Sequence, residues 1–117
     1  MTRYDITPLP KPRMTQADSW KQRPCVQRYW AFKDEVQVRG VRVPFGGAHV
    51  TFVLPMPKSW SKGKKRIMDG KPHRAKPDID NLLKGLLDAV YPDDDSAVWD
   101  LRATKRWGEQ GMILLDL

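Results

Sequence analysis

The most regular pattern in this chain is a stripe of apolar residues between positions 79 and 90. Its members recur at intervals of three and four residues, the spacing of one face of an α-helix, and they are Ile79, Leu82, Leu83, Leu86, Leu87 and Val90. Asp78 stands at the N-cap position, and Pro77 before it disfavours an earlier start. The pattern predicts a helix over residues 78–90, ended by Pro92.

A weaker apolar cluster predicts a second helix over residues 25–39, which ends before Gly40. Period-two alternation predicts four strands, at residues 3–7, 49–54, 97–104 and 112–117. Residues 107–111 have the composition of a turn, so the last two strands are expected to pair as an antiparallel hairpin. Trp30 and Trp99 lie inside these periodic segments and are expected in the core.

The order of elements, β-α-β-α-β-β, predicts an α/β (α+β) fold in which a small mixed sheet carries two helices on one face. With 117 residues, 40% of them hydrophobic, the chain has the size of one domain over residues 1–117. A core this small is often completed by dimerisation. No apolar run is long enough to span a bilayer, so no membrane partner is expected. Cys25 is the single cysteine, which excludes an internal disulfide and favours a reduced, cytoplasmic compartment.

Charge changes this picture, because Lys and Arg outnumber Asp and Glu by 21 to 14, for a formal net charge of +7. Such a balance favours a polyanionic partner, and nucleic acid before an anionic membrane. The positive charge is concentrated in residues 58–77, which lack a clear period and are predicted to be a long functional loop. The side chains expected to contact DNA phosphates there are Lys62, Lys64, Lys65, Arg66, His73, Arg74 and Lys76.

Acidic residues follow directly after this basic loop. Asp78 and Asp80 occupy the first turn of the predicted helix, where the helix dipole favours their ionised form. Two carboxylates so close repel each other, and a hard divalent cation such as Mg²⁺ removes that penalty. Lys84, one turn further on, is placed to balance charge that develops on a phosphodiester. A third acid is expected from residues 93–95, directly after the helix.

Each of these features also has an ordinary structural explanation. Aspartate at a helix start is a common cap, Asp80 and Lys84 form an i, i+4 surface pair, and a Pro-Asp-Asp-Asp run is typical of a turn. Pattern alone leaves two hypotheses open: a metal-dependent nuclease, and a DNA-binding module without catalysis. The acids argue against the second hypothesis, because a pure binding surface has no need of groups that repel phosphate.

Three stretches of the chain carry a recognisable signature: KPDIDNLLK at residues 76–84, DA at residues 88–89 and DDSAV at residues 94–98. They resemble the pattern of the RusA family of Holliday junction resolvases. That pattern is a D-x-D-N-x-x-K helix start, a D-A/G-L-like helix end and a D-D-x-x-V acidic turn. The resemblance extends over the chain from His49 onward, whereas the first half matches only in its order of elements.

The resemblance implies a homodimeric nuclease that uses Mg²⁺, with Mn²⁺ as a substitute, to nick four-way DNA junctions symmetrically in recombination, repair or phage DNA processing. The family's metal-binding acids fall on Asp78, Asp80 and Asp95, its essential lysine on Lys84 and its active-site asparagine on Asn81. Asp93 is an extra acid relative to the pattern, so the choice between Asp94 and Asp95 stays open. A nuclease for other branched DNA is the alternative activity, and the implied location is the cytoplasm of a bacterial or phage-infected cell.

Four further residues carry expectations. Gly85 in the predicted helix is expected to allow close approach of DNA or of a partner subunit, and Asp88, two turns below the acids, to have a structural or supporting role. His49 at a strand start is expected to be structural. Trp60 lies among lysines and either stacks on unpaired bases at a junction centre or anchors its loop.

Overall fold

The computed structural model describes residues 1–13 and 23–117. The elements are, along the chain, β1 (Thr2–Tyr4), α1 (Pro24–Val38), β2 (Ala48–Pro55), α2 (Lys62–Met68), α3 (Ile79–Val90), β3 (Leu101–Gly108) and β4 (Met112–Asp116). Both predicted helices are confirmed as α1 and α3, and Asp78 is the N-cap residue of α3. None of the helices in the described ranges is long and apolar enough to cross a bilayer.

The four strands of the described residues form one mixed sheet in the order β1-β4-β2-β3. β2 pairs in parallel with β3 and antiparallel with β4, and β1 pairs antiparallel with β4. The predicted mixed sheet is therefore confirmed, but the predicted hairpin between the last two strands is wrong. β2 lies between them, and the turn after β3 crosses its end, where the Met56 amide donates to the Gly108 carbonyl.

Burial explains why β2 takes the central position. Val50, Phe52 and Leu54 are buried on one face, and Val53 is buried on the other. Side chains on both faces are best covered in the interior of a sheet, whereas an edge strand is more exposed to solvent. The short turn at residues 109–111 suggests a local hairpin, but burial of β2 outweighs that preference.

The core lies between the sheet and two helices. α1 contributes buried side chains such as Tyr29 and Phe32, α3 contributes Leu82 and Leu86, and all four join one cluster with the strand residue Phe52. The helices α1 and α3 therefore pack on one face of the sheet, as predicted. The stripe of α3 is buried along its centre and half-exposed at its edges.

Two tryptophans do not lie in this core, contrary to expectation. Trp30 is 40% exposed, because it follows the buried Tyr29 on α1 and points to the solvent side. Trp99 is 79% exposed, because β3 begins only at Leu101 and the indole lies on the surface over Gly46. The alternation read at residues 97–104 thus places the strand four residues too early.

The basic stretch at residues 58–77 was predicted to be a long loop, and this prediction is wrong. The stretch contains α2, whose N-cap Ser61 accepts a hydrogen bond from the Lys64 amide. No residue of α2 is buried, so the helix leaves no hydrophobic period in the sequence. Residues 70–73 then run along the outer edge of β3, where Trp107 exchanges backbone hydrogen bonds with Gly70 and Lys71.

Candidate functional site

The site begins where α3 begins. Asp78 has an extended backbone, with φ −70° and ψ 148°, and its carbonyl accepts the first helical hydrogen bond, from Leu82. Its side chain makes no capping hydrogen bond, although it stands at the N-cap position. Asp80 follows in the first turn, and both carboxylates are exposed. Two carboxylates without a hydrogen bond or ion pair in the described ranges thus lie at the positive end of the α3 dipole.

A groove of about 420 Å³ opens beside Asp78 and Asn81. Its other walls come from Lys76 and Pro77 and from the N-terminal segment, through Pro10 and Lys11. The groove therefore combines one carboxylate, one amide and two lysines. This is a donor set that can accept a phosphate and a hard cation side by side.

Lys11 was not predicted to be near the site, and it reaches it because the N-terminal segment crosses α3. The Lys11 amide donates to the Asn81 carbonyl at 3.3 Å, and a Cβ on Gly85 would lie 2.5 Å from the Leu9 carbonyl oxygen. Gly85 therefore permits close approach of the chain's own backbone, rather than of DNA or a partner subunit as expected. A glycine in an amphipathic helix was the one sequence signal of this crossing.

Lys84 lies four residues after Asp80 on α3 and is exposed. It forms no ion pair with Asp80 or with another acid in the parts of the chain that the structure describes. The ordinary i, i+4 pairing is thus not formed, and the Lys84 ammonium is accessible to a ligand.

Asp88, two turns below the acids, connects three parts of the fold. Its carboxylate accepts a 2.6 Å hydrogen bond from the Tyr29 hydroxyl and pairs with Lys33 at 3.1 Å and Lys11 at 3.8 Å. Burial raises the pKa of Asp88, but the hydrogen bonds from Tyr29 and Lys33 outweigh it and the net pKa is lowered. These contacts give Asp88 the structural role expected of it. His49 likewise contacts Thr104 within the sheet.

The aspartates of the acidic turn after α3 differ in the hydrogen bonds that they make. Asp94 accepts two hydrogen bonds from Ser96, from the amide and from the hydroxyl, each at 2.9 Å. These bonds lower the pKa of Asp94 and hold its carboxylate in the turn. The Asp95 side chain has no such bond to the described residues, and only its backbone carbonyl is used, by Val98. Of the two carboxylates, only that of Asp95 has no hydrogen bond to the described residues.

The chain does not bring the three predicted ligands together by itself. α3 has 12 residues, so about 18 Å of helix separates the acids at its start from the turn at residues 93–95. Within residues 1–13 and 23–117, no group of three His, Cys, Asp or Glu side chains is placed to hold a metal ion. Asp78 and Asp80 lie at the start of α3, and Asp95 lies beyond the end of the same helix.

The basic residues of α2 form an exposed surface beside Glu109. Lys62, Lys64 and Arg66 are exposed, and Lys65 is half-buried. The Lys64 ammonium lies 4.3 Å from the centroid of the Trp60 ring, and the Trp60 ring packs on Trp107 at 4.8 Å. Trp60 thus makes the contacts of a loop anchor. Arg74 and Lys76, just before Asp78 in the chain, are exposed as well, and Lys76 lines the groove.

His73 does not belong to this surface, contrary to the prediction of a phosphate contact. It is 5% exposed, and its ring packs on Trp107 with centroids 4.0 Å apart. Burial, and then the positive charge of Lys105, lower the pKa of His73 below its ordinary value. A buried, neutral imidazole offers a phosphate neither charge nor surface.

A second lysine missed in the sequence holds the backbone just before Asp78. The Lys105 ammonium donates to the carbonyls of Ala75 at 2.7 Å and Pro77 at 2.8 Å. Its register partner in the sheet is the buried Phe52, so Lys105 lies on the face that carries the helices. The sequence signal was a cation at an inward position of a strand.

Comparison with known proteins places the chain in a family. A family model described as endodeoxyribonuclease RusA matches residues 5–116. The protein named "Uncharacterized protein YqaN" from Bacillus subtilis (strain 168) is 39% identical over 67 residues, which cover 50% of this chain and 46% of that protein. The chain therefore spans about half the length of this curated relative. No solved structure matches. Because the model covers nearly every residue, the chain belongs to the RusA endodeoxyribonuclease family.

Proposed function

We propose that this protein is a divalent-metal-dependent endonuclease that nicks four-way DNA junctions. The observation that carries the proposal is the pair of carboxylates at the start of α3, Asp78 and Asp80, which no described residue binds and which lie beside a lysine-lined groove. Membership of the RusA family supports a nuclease acting on branched DNA.

The donor set fits Mg²⁺, with Mn²⁺ as a substitute, because both prefer carboxylate oxygens and keep several waters. When bound to Asp78 and Asp80, the metal would polarise a scissile phosphodiester and lower the pKa of a water molecule. Asn81 orients the phosphate through its side-chain amide at the groove. Lys84 stabilises the negative charge that develops on the phosphate oxygens.

We propose that the third carboxylate, Asp95, reaches each site from a second copy of the chain. Two α3 helices that run antiparallel about a two-fold axis bring the start of one beside the end of the other. Such a dimer has two identical sites, which is what symmetric nicking of two opposed strands requires. Ser96 holds the Asp94 carboxylate within the turn, which supports Asp95 rather than Asp94 as the ligand.

The basic surface of α2 and the following residues would bind the arms of the junction through their phosphates, without reading sequence. Its members, with the buried His73 left out, are Lys62, Lys64, Lys65, Arg66, Arg74 and Lys76. Lys76 belongs to this set and lines the groove at Asp78, so a strand bound there would lie beside the carboxylate.

The test is nicking of a synthetic four-way junction in Mg²⁺ by the wild type, Asp80→Asn and the matched control Asp34→Asn. Asp34 is an exposed aspartate of α1 away from the acids. We expect Asp80→Asn to lose at least about a hundredfold in rate and Asp34→Asn to match the wild type. A wild type that cuts no branched DNA with any divalent metal would refute the proposal. Equal cutting of flaps and junctions would instead favour a general nuclease for branched DNA.

Mixing two inactive variants tests the shared site. If Asp95 acts in the partner's site, a heterodimer of Asp80→Asn with Asp95→Asn contains one site with both changes and one intact site. The mixture should then nick junctions on one strand, although each variant alone is inactive. Continued inactivity after subunit exchange, verified by mass spectrometry, would place all three ligands in one chain.

A further inference from the structure

The face of β3 that carries the helices is apolar except at one position. Its residues are Leu101, Ala103, Lys105 and Trp107, whose register partners on β2 are all buried. A lysine in such a row is costly unless its ammonium finds acceptors. The position of Lys105 therefore indicates a specific use of its charge.

Lys105 holds the segment before α3 at three points. Its ammonium donates to the Ala75 and Pro77 carbonyls, at 2.7 and 2.8 Å, and its own backbone carbonyl accepts from the His73 amide at 3.1 Å. The two carbonyls flank Lys76, and the second one belongs to the residue directly before Asp78. Hydrogen bonds from an ammonium to carbonyls are stronger than those between neutral groups.

This contact matters because none of the described residues fixes the Asp78 side chain with a hydrogen bond or an ion pair. Its carboxylate makes no capping hydrogen bond, so its direction depends on the backbone that enters α3. The strand β3 is paired with β2 along its whole length and provides a rigid support for that backbone. A shift of the Pro77 carbonyl would move Asp78 and turn Asp80 in the first turn with it.

We propose that Lys105 is a positioning residue that holds Asp78 and Asp80 in the geometry a divalent metal requires. The inference rests on the proposed metal site and adds to it a residue on another element. Lys105 acts through the carbonyls of Ala75 and Pro77, and contacts neither the metal nor the scissile phosphate. Partners that orient metal ligands in this indirect way change metal affinity by about 10–100-fold when they are removed.

The test compares Mn²⁺ binding, measured by isothermal titration calorimetry without DNA, in the full-length wild type, Lys105→Met and Arg102→Met. Methionine keeps much of the length of lysine and removes the charge and the donors. Arg102 is exposed on the opposite face of β3, so its replacement controls for loss of one positive charge. We expect Lys105→Met to bind Mn²⁺ about tenfold more weakly and Arg102→Met to match the wild type.

A second readout separates positioning from general destabilisation. At a temperature where circular dichroism shows both variants folded, Lys105→Met should lower kcat for junction nicking and leave the Kd for the junction within about twofold. Lys105→Gln, which keeps a neutral donor, provides the same comparison if the methionine variant does not fold, with an intermediate loss of Mn²⁺ affinity.

The outcomes for the two proposals are distinct. Unchanged Mn²⁺ affinity in the folded Lys105 variants, while Asp80→Asn loses it, would overturn the role of Lys105 and leave the metal site intact. Unchanged Mn²⁺ affinity in Asp80→Asn itself would overturn the metal site on which the inference rests.

Discussion

Replacement of Gly85 by alanine tests the crossing of the N-terminal segment over α3. A Cβ at this position would lie 2.5 Å from the Leu9 carbonyl oxygen, whereas ordinary contacts begin at 3.4 Å. The segment therefore has to move by about 0.9 Å, the difference between these two distances. The obstacle is backbone, which cannot rotate away as a flexible side chain does.

Two stabilising contributions are lost in that movement. The hydrogen bond from the Lys11 amide to the Asn81 carbonyl, already 3.3 Å long, breaks at a cost of about 1 kcal/mol. Leu9, half-buried against the core, loses part of its apolar contact, which costs about 1 kcal/mol more. Alanine in the helix interior returns about 1 kcal/mol relative to glycine. We expect Gly85→Ala to lower the free energy of unfolding by about 1 kcal/mol in total.

The assay is urea unfolding followed by circular dichroism, with Gly63→Ala as the matched control. Gly63 lies in α2, and nothing lies within 4 Å of the position of its Cβ, so alanine there should keep or raise stability. We therefore expect Gly85→Ala to be less stable than the wild type and Gly63→Ala to be at least as stable as the wild type. If Gly85→Ala is as stable as Gly63→Ala, the N-terminal segment does not pack on α3 as described.

Two further predictions concern pH and salt. The pKa of His73 is lower in the folded state than its value of about 6.5 in the unfolded state. As the pH falls below about 6.5, the unfolded state therefore binds a proton at this side chain before the folded state does, and the protein loses stability. The urea midpoint of unfolding should therefore decrease from pH 7.5 to pH 5, and it should decrease less in His73→Phe. If the midpoint depends on pH in the same way in both proteins, His73 is not buried as a neutral side chain. On the basic surface, Lys62→Ala combined with Arg66→Ala should reduce the slope of log K against log salt for junction binding by about 2, measured by fluorescence anisotropy in EDTA. Arg28→Ala, at an exposed position of α1, should leave that slope unchanged.

The sequence predicts those parts of the fold in which burial leaves a period. The stripe of α3, with Leu82 and Leu86 at its centre, specifies both the helix and the face it packs. The spacing of apolar residues does not predict α2, because a helix without a buried residue has no apolar stripe. The hairpin prediction fails for a related reason: the neighbours of β2 are chosen by long-range burial, and turn composition reports only on local preference.

The same distinction applies to the site: residues close together in the sequence could be grouped from it, and residues far apart in the sequence could not. Asp78, Asp80, Asn81 and Lys84 lie on one helix, so their spacing in sequence gives their grouping. Lys11 and Lys105 come from segments far from that helix in the chain, and only the folded backbone brings them to the groove or to the segment before Asp78. Lys105 left a trace in the sequence, as a cation in an otherwise apolar row, whereas Lys11 left none of its own.

The pairing of residues 70–73 with β3 also affects how the molecule meets other chains. An unpaired strand edge is a template for association with a further strand, and long exposed edges favour aggregation. Here residues 70–73 pair with the second half of the β3 edge, between Lys105 and Trp107, and the opposite edge belongs to β1, which has only 3 residues. Within the described residues, the length of edge open to a further strand is therefore short on both sides, and the faces and helices offer the larger surfaces for contact with a second copy. A segment rich in positive charge thus also limits edge-to-edge association of the sheet.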